Sequence, residues 1–354
     1  MKKAYLILEG GRVFEGYSFG AEKASCGELV FNTSVVGYLE AITEPAYRGQ
    51  ILLQTFPLIG NYGVIPSDFN GECTISGYVV REWCDNPSNF RCEGTLDGYL
   101  KEVGVPGIWG VDTRELTRLI RENGEMKAMI ATEVPADLSV IEKFKAVDVV
   151  AASSVKEKTV YAAESEKKYS VTLVDYGTRK AVISDLTKLG CEVTVVPYNT
   201  KADEILASAP DAVILSEGPG DPKANPECIE EIKALMGKTV IFGNGLGHQM
   251  LALANGCDTF KMKYGHRGGN QPVSELFGTH TWITTQNHSY AVDPETVKAP
   301  AKVIMSNTND KTCEGIEYEG LKAFSVQFCP ETAWVPLTPN ALYEKLKNLM
   351  DKEN

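Results

Sequence analysis

The chain has 354 residues, 43% of them hydrophobic, and a formal net charge of −12. That length allows two domains, each with its own core. The acidic balance argues against nucleic acid and anionic membrane as partners, and no apolar run is long enough for a transmembrane helix.

In chain order, the basic start Met1-Lys2-Lys3 leads into Ala4–Leu8, where Glu9 cuts the apolar run too early for a signal peptide, so the run reads as a first strand. Leu29–Phe31, Gln50–Thr55 and Thr74–Val80 are further candidate strands. Thr113–Asn123 has the marks of a helix: Asp112 as N-cap, Leu116, Leu119 and Ile120 on one face, and Gly124 as terminator. A second helix is expected over Asp137–Lys145. Residues 151–168 are small and charged and read as a linker between domains at 1–150 and 169–354.

Beyond the linker, strand and helix patterns alternate. Strands are expected at Val171–Val174, Glu192–Val196, Ala212–Leu215 and Thr239–Phe242. Helices are expected at Lys180–Leu189, Ala202–Ala209, Pro226–Met236 and Leu246–Ala254. The alternation predicts an α/β domain whose parallel or mixed sheet is flanked by helices, with its site at the carboxyl ends of the strands. Strands at Val303–Met305 and Ala323–Gln327 and a helix over Ala341–Met350 complete it. Nine cysteines without paired spacing fit a reducing cytoplasm. Cys84 and Cys92 have no matching second pair, so no metal site is expected in this chain.

Two segments carry the chemistry. Val240-Ile241-Phe242-Gly243-Asn244-Gly245-Leu246-Gly247-His248-Gln249 has the strand–turn–helix layout of a nucleophile elbow, yet its central position, Gly245, has no side chain. Further on stands Gln327-Phe328-Cys329-Pro330-Glu331. The pair resembles the Gly-Ile-Cys-Leu-Gly-His-Gln and Gln-x-His-Pro-Glu segments of the small chain of carbamoyl phosphate synthetase, whose C-terminal half is a class I glutamine amidotransferase domain. The blocks Leu215–Pro222, Lys263–Asn270 and Gln286–Asp293 extend the resemblance. So do Phe31–Glu40, Tyr47–Gln50, Ile59–Gly63 and Gly107–Thr117 in the β-rich N-terminal α/β domain, which is particular to that small chain.

The resemblance implies a thiol nucleophile at position 245, an imidazole base at 329 and an orienting carboxylate at Glu331, the logic of a nucleophile–base–acid triad. Here Gly245 and Cys329 have lost the first two. Glycine also relaxes a strained elbow, whose central residue otherwise costs about 1–3 kcal/mol. Substrate contacts are implied at Ala46, Gly218, Gly220, Leu246, Gln249, Asn287, Ser289 and Tyr290. Ala46 replaces a serine of the family pattern, and Ser289-Tyr290 replaces Gly-Phe. For Gly218 and Gly220 a turn alone explains the residue; for Gln249 and Asn287 scaffolding and binding remain equal readings.

The expected activity is that of a small chain without glutaminase. It would partner the large synthetase chain, which carries ATP and metal and would take ammonia from solution. Two other readings stay open: a stand-alone regulatory protein sensing a small amide or amino acid, and glutamine hydrolysis through an unorthodox nucleophile such as Cys329.

Overall fold

The computed structural model describes residues 1–332 and 341–351 and divides into two compact units, Met1–Val149 and Val150–Asn354. The first unit contains strands β1 (Lys3–Leu8), β2 (Val13–Gly20), β3 (Ser25–Asn32), β4 (Gln50–Gln54), β5 (Leu58–Ile59), β6 (Gly77–Val80), β7 (Glu82–Trp83), β8 (Pro106–Trp109) and β9 (Met126–Ala131). Seven of these close a barrel in the order β1-β2-β8-β6-β4-β3-β9, while β5 and β7 pair separately. Helices α1 (Tyr38–Ile42), α2 (Leu96–Glu102), α3 (Thr113–Asn123) and α4 (Ser139–Glu142) accompany it.

Local chemistry sets the boundaries of α3. The Asp112 carboxylate accepts from the amides of Arg114 and Glu115, at 3.1 and 3.0 Å, and Gly124 ends the helix at φ +96°. The helix expected over Asp137–Lys145 is reduced to α4, because Asp137 accepts from the Ser139 amide and hydroxyl, a local turn that competes with helix.

The second unit opens with α5 (Val149–Ser153), which spans the division, and β10 (Thr159–Tyr161). It continues through β11 (Tyr169–Asp175), α6 (Lys180–Lys188), β12 (Cys191–Pro197), α7 (Ala202–Ala207), β13 (Ala212–Leu215), α8 (Pro226–Leu235), β14 (Val240–Asn244) and α9 (Leu246–Ala254). Then come β15 (Thr259–Glu275), β16 (Thr281–Val292), β17 (Ala301–Asn307), β18 (Cys313–Tyr318), β19 (Ala323–Val326) and α10 (Ala341–Asp351). One sheet joins all ten strands in the order β10-β12-β11-β13-β14-β19-β18-β17-β15-β16. It is parallel from β12 to β19 and antiparallel toward both edges.

The parallel strands are Val- and Ile-rich and buried on both faces, as helices on either side demand. One face packs Val213, Leu215, Ile241 and Met250 in a common core; the other packs Leu173, Val182, Phe242, Phe324 and Leu346. Residues 151–168 are not a bare linker. They finish α5 and supply β10, which pairs antiparallel with β12, while the Val155 amide donates to Asp175 at 2.7 Å. Their polar composition reflects an exposed edge strand, whose three residues are all exposed.

Phe242 and Phe324 stack across β14 and β19 with centroids 4.4 Å apart, both fully buried. Phe324→Ala is expected to lower unfolding free energy by ~3–5 kcal/mol, whereas Phe90→Ala, at an exposed position, changes it by less than ~0.5 kcal/mol; urea denaturation of both variants checks the contrast.

Candidate functional site

Three neighbouring parallel strands, β13, β14 and β19, deliver the site at their carboxyl ends. Glu217 and Gly218 follow β13, Gly245 follows β14, and Cys329 and Glu331 follow β19. Gly245 sits at the start of α9 with φ +50° and ψ −110°, an elbow conformation that residues with a Cβ rarely adopt. Its amide donates to the Val326 carbonyl at 2.9 Å. A Cβ built there would lie 3.0 Å from Glu217 Cβ and 3.3 Å from Glu217 Cα. A side chain at 245 would therefore need Glu217 to give way by a few tenths of an ångström.

Cys329 is buried, and its amide donates to the Thr285 carbonyl at 3.0 Å. Glu331, the position that would orient an imidazole, instead accepts from the Arg179 guanidinium at 2.7 Å. Arg179 also approaches Glu217, Nε to Oε1, at 3.7 Å, and its amide donates to the same oxygen at 3.3 Å. The Arg179 and Glu331 side chains are each 3% exposed and that of Glu217 7%. Glu217, Arg179 and Glu331 thus form a buried ion triad at the strand ends. Neither Arg179 nor Glu217 stands out in the sequence, since their partners lie far away along the chain.

The expected substrate contacts are distributed unevenly. Gly218 is explained by packing, since a Cβ would meet the Tyr176 carbonyl oxygen at 2.6 Å. Gly220 has φ +90° and needs no ligand to account for it. Leu246 is buried in the core on the α9 side of the sheet. Gln249 is committed to the scaffold: its amide nitrogen donates to the Tyr290 carbonyl at 2.6 Å and to Gln327 Oε1 at 2.8 Å. Asn287 lies opposite Arg267 in the β15–β16 register. Ser289 accepts from the Arg267 guanidinium, and the Tyr290 ring stands 5.9 Å from the Lys261 ammonium. Ala46 belongs to the first unit, in the short 3-10 turn Pro45–Tyr47, and its amide donates to Glu44.

Each of the four imidazoles has a partner of its own. His248 pairs through Nδ1 with the Ser325 hydroxyl at 2.7 Å, and burial pushes its pKa down to about 3, leaving it neutral. His280 is exposed and faces Glu275 at 3.4 Å. His266 and His288 face one another across β15 and β16. Burial works against charge on His266, but its hydrogen bonds to Asp310 and Glu314 outweigh burial and raise its pKa to about 9. For His288, burial and then the charge of His266 hold the ring neutral, well below the usual imidazole range.

This arrangement of strands, elbow and carboxylate defines the second unit as a class I glutamine amidotransferase domain, and the family model "Glutamine amidotransferase class-I" matches residues 172–349. The model "Carbamoyl-phosphate synthase small chain, CPSase domain" matches residues 6–130. The carbamoyl phosphate synthase small chain of Listeria monocytogenes serotype 4b is 45% identical over 355 residues, covering 99% of this chain and 98% of its own length. That of Oceanobacillus iheyensis is 45% identical over 354 residues, covering 99% and 96%. Among solved structures, a glutamine amidotransferase from Thermotoga maritima covers 52% of this chain and 85% of its own, at 17% identity and a TM-score of 0.37. The chain belongs to the carbamoyl phosphate synthase small-chain family.

Removing one partner of a buried ion pair strands the other charges. Arg179→Met is therefore expected to cost ~3–5 kcal/mol, and markedly less in a Glu217→Gln/Glu331→Gln background; a double-mutant cycle by urea denaturation measures the difference. Gly245→Cys should cost ~1–3 kcal/mol through the elbow's φ and the contact with Glu217, and the variant should release no ammonia from glutamine.

Proposed function

We propose that this chain is a small chain of carbamoyl phosphate synthase that no longer hydrolyses glutamine and serves as the structural partner of the large synthetase chain, with ammonia from solution as nitrogen source. The observation that carries the proposal is the replacement of thiol and imidazole by Gly245 and Cys329, together with the diversion of Glu331 to Arg179. A glycine cannot form a thioester, and without an adjacent base no proton can be taken from a nucleophile or given to leaving ammonia. The docking role is retained. Similarity across 99% of the chain, the N-terminal domain included, supports that role over a stand-alone sensor.

Catalysis by Cys329 has no support in the geometry around the histidines. His248, His266 and His288 are engaged with Ser325, Asp310 and the Tyr290 carbonyl respectively, and His280 with Glu275. The nine cysteines are free, which fits the cytoplasm. Binding of ATP and of its metal is assigned to the large chain. Restoring glutaminase on this scaffold requires more than Gly245→Cys with Cys329→His, because Arg179 also has to release Glu331 for the new imidazole.

The test is carbamoyl phosphate synthesis by this chain with its cognate large chain, fed glutamine or ammonium. The glutamine-supported rate is expected to fall below the ammonium-supported rate by on the order of 10³-fold or more. Equal rates would overturn the loss of glutaminase; failure of the two chains to co-elute would overturn the partnership.

A further inference from the structure

The β15–β16 hairpin holds a group of side chains that the amidotransferase reading does not use. His266 and His288 lie directly opposite each other in the antiparallel register, with rings edge-on at 89° and centroids 5.1 Å apart. Gly265, at φ +62°, makes this placement possible, since a Cβ there would lie 2.2 Å from the His288 carbonyl oxygen. Glu314, fully buried on β18, faces the same point. His266, His288 and Glu314 each bring one ligand atom to within 4.8 Å of the others. Between the two rings sits Gln286 Oε1, 3.0 Å from His266 Nδ1 and 3.0 Å from His288 Nε2. His266 Nδ1 is 3.4 Å from Glu314 Oε1.

Hydrogen-bond accounting shows what the cluster lacks. The far nitrogen of each ring faces an acceptor that has no proton to give: His266 Nε2 donates to Asp310 at 2.9 Å, and His288 Nδ1 donates to the Tyr290 carbonyl at 2.7 Å. The near nitrogen of either ring therefore carries a lone pair whenever that ring is neutral. Gln286 cannot be turned over to supply the missing donors. Its nitrogen donates to Glu314 Oε2 at 2.9 Å and to the Thr284 hydroxyl at 3.1 Å, and that hydroxyl's own proton goes to the Gln271 carbonyl. Two imidazole nitrogens, an amide oxygen and a carboxylate oxygen thus converge; the Thr312 hydroxyl also stands 3.2 Å from Glu314 Oε1. A proton on His266 Nδ1 would serve one of them and leave His288 Nε2 against Gln286 Oε1.

We infer that this cluster is a binding site for one divalent transition-metal ion of the zinc class, held by His266 Nδ1, His288 Nε2, Glu314 and Gln286 Oε1. The donor set is two imidazoles and two oxygens, which suits zinc, cobalt or nickel better than magnesium or calcium. Three of the six donor–donor separations, 3.0, 3.0 and 3.4 Å, are close to the edges of a tetrahedron with zinc–ligand bonds of about 2.0–2.1 Å, and the two imidazoles and Glu314 lie within 4.8 Å of one another. The second independent feature is the outer shell. Metal-binding histidines are characteristically fixed by a carboxylate or a backbone carbonyl on their other nitrogen, and here Asp310 and the Tyr290 carbonyl fill those two roles. The ion would clip β15, β16 and β18 together. Sequence spacing hides the site, because strand pairing rather than a short motif assembles it.

The test uses the purified full chain, stripped with a chelating resin and titrated with Co²⁺ alone and then with Zn²⁺ alone. One equivalent of Co²⁺ should give visible d–d bands without a thiolate charge-transfer band, which separates this site from the nine cysteines. One equivalent of Zn²⁺ should displace the Co²⁺ and raise the thermal midpoint. His288→Gln should abolish the bands. Asp310→Asn, a change at a half-exposed position that leaves all four ligands in place, should weaken binding about 10–100-fold; circular dichroism confirms that both variants fold. Sub-stoichiometric binding, a thiolate band, or Co²⁺ spectra unchanged in His288→Gln would overturn the assignment.

Discussion

The Arg179 guanidinium is the interaction on which the arrangement at the strand ends depends. It lies between Glu217, which follows β13, and Glu331, which follows β19, and the elbow at Gly245 is held between those two segments. A carboxylate with so little exposure as Glu331 needs a partner, since burying a lone charge costs several kcal/mol. Arg179 supplies the compensating charge, and without it the carboxylate would be stranded. Arg179 thus answers the two carboxylates with one buried cation.

The elbow keeps its shape for reasons unrelated to catalysis. A Cβ at Gly247 would lie 2.3 Å from the Leu215 carbonyl oxygen, and one at Gly243 would lie 2.9 Å from the Gly247 carbonyl oxygen. The Gly247 amide donates to the Ser216 carbonyl at 3.0 Å. Helix α9 is therefore pressed against the ends of β13 and β14, and this close packing fixes the turn. Glycine at 245 removes the conformational cost of the turn without removing its cause.

Periodic features were legible in the sequence and long-range pairings were not. The parallel strands announce themselves as short apolar runs between helical patterns, and Asp112 and Gly124 mark both ends of α3. The elbow and the Cys329 segment are readable because each is a contiguous motif. In contrast, β2, β8 and β9 of the barrel carry interrupted alternation, and their pairing depends on closure rather than on local propensity. The β15–β16 hairpin, with register shifts between Lys261 and His266 and between Gly268 and Gln271, breaks the period on which a strand assignment relies. Arg179, Glu217 and Glu314 are single charges in ordinary surroundings, and only the fold gives them partners.

The polar residues around the elbow have a physical reading that requires no substrate. Gln249 on α9 donates to the Tyr290 carbonyl, which also accepts from His288; His288 meets Gln286, and Gln286 donates to Glu314. These groups adjoin one another from the elbow helix through β16 to β18. In a low-dielectric interior each member depends on its neighbours, because deleting one strands the next as an unsatisfied polar group. Gln249 and Gln286 therefore stay in place for the sake of the sheet, whatever has become of the thiol. Gly245 has no side chain with which to enter that chain of hydrogen bonds, so a glycine at the elbow leaves the network intact. The framework around the elbow is thus held by its own hydrogen bonds and packing, whatever chemistry the elbow performs.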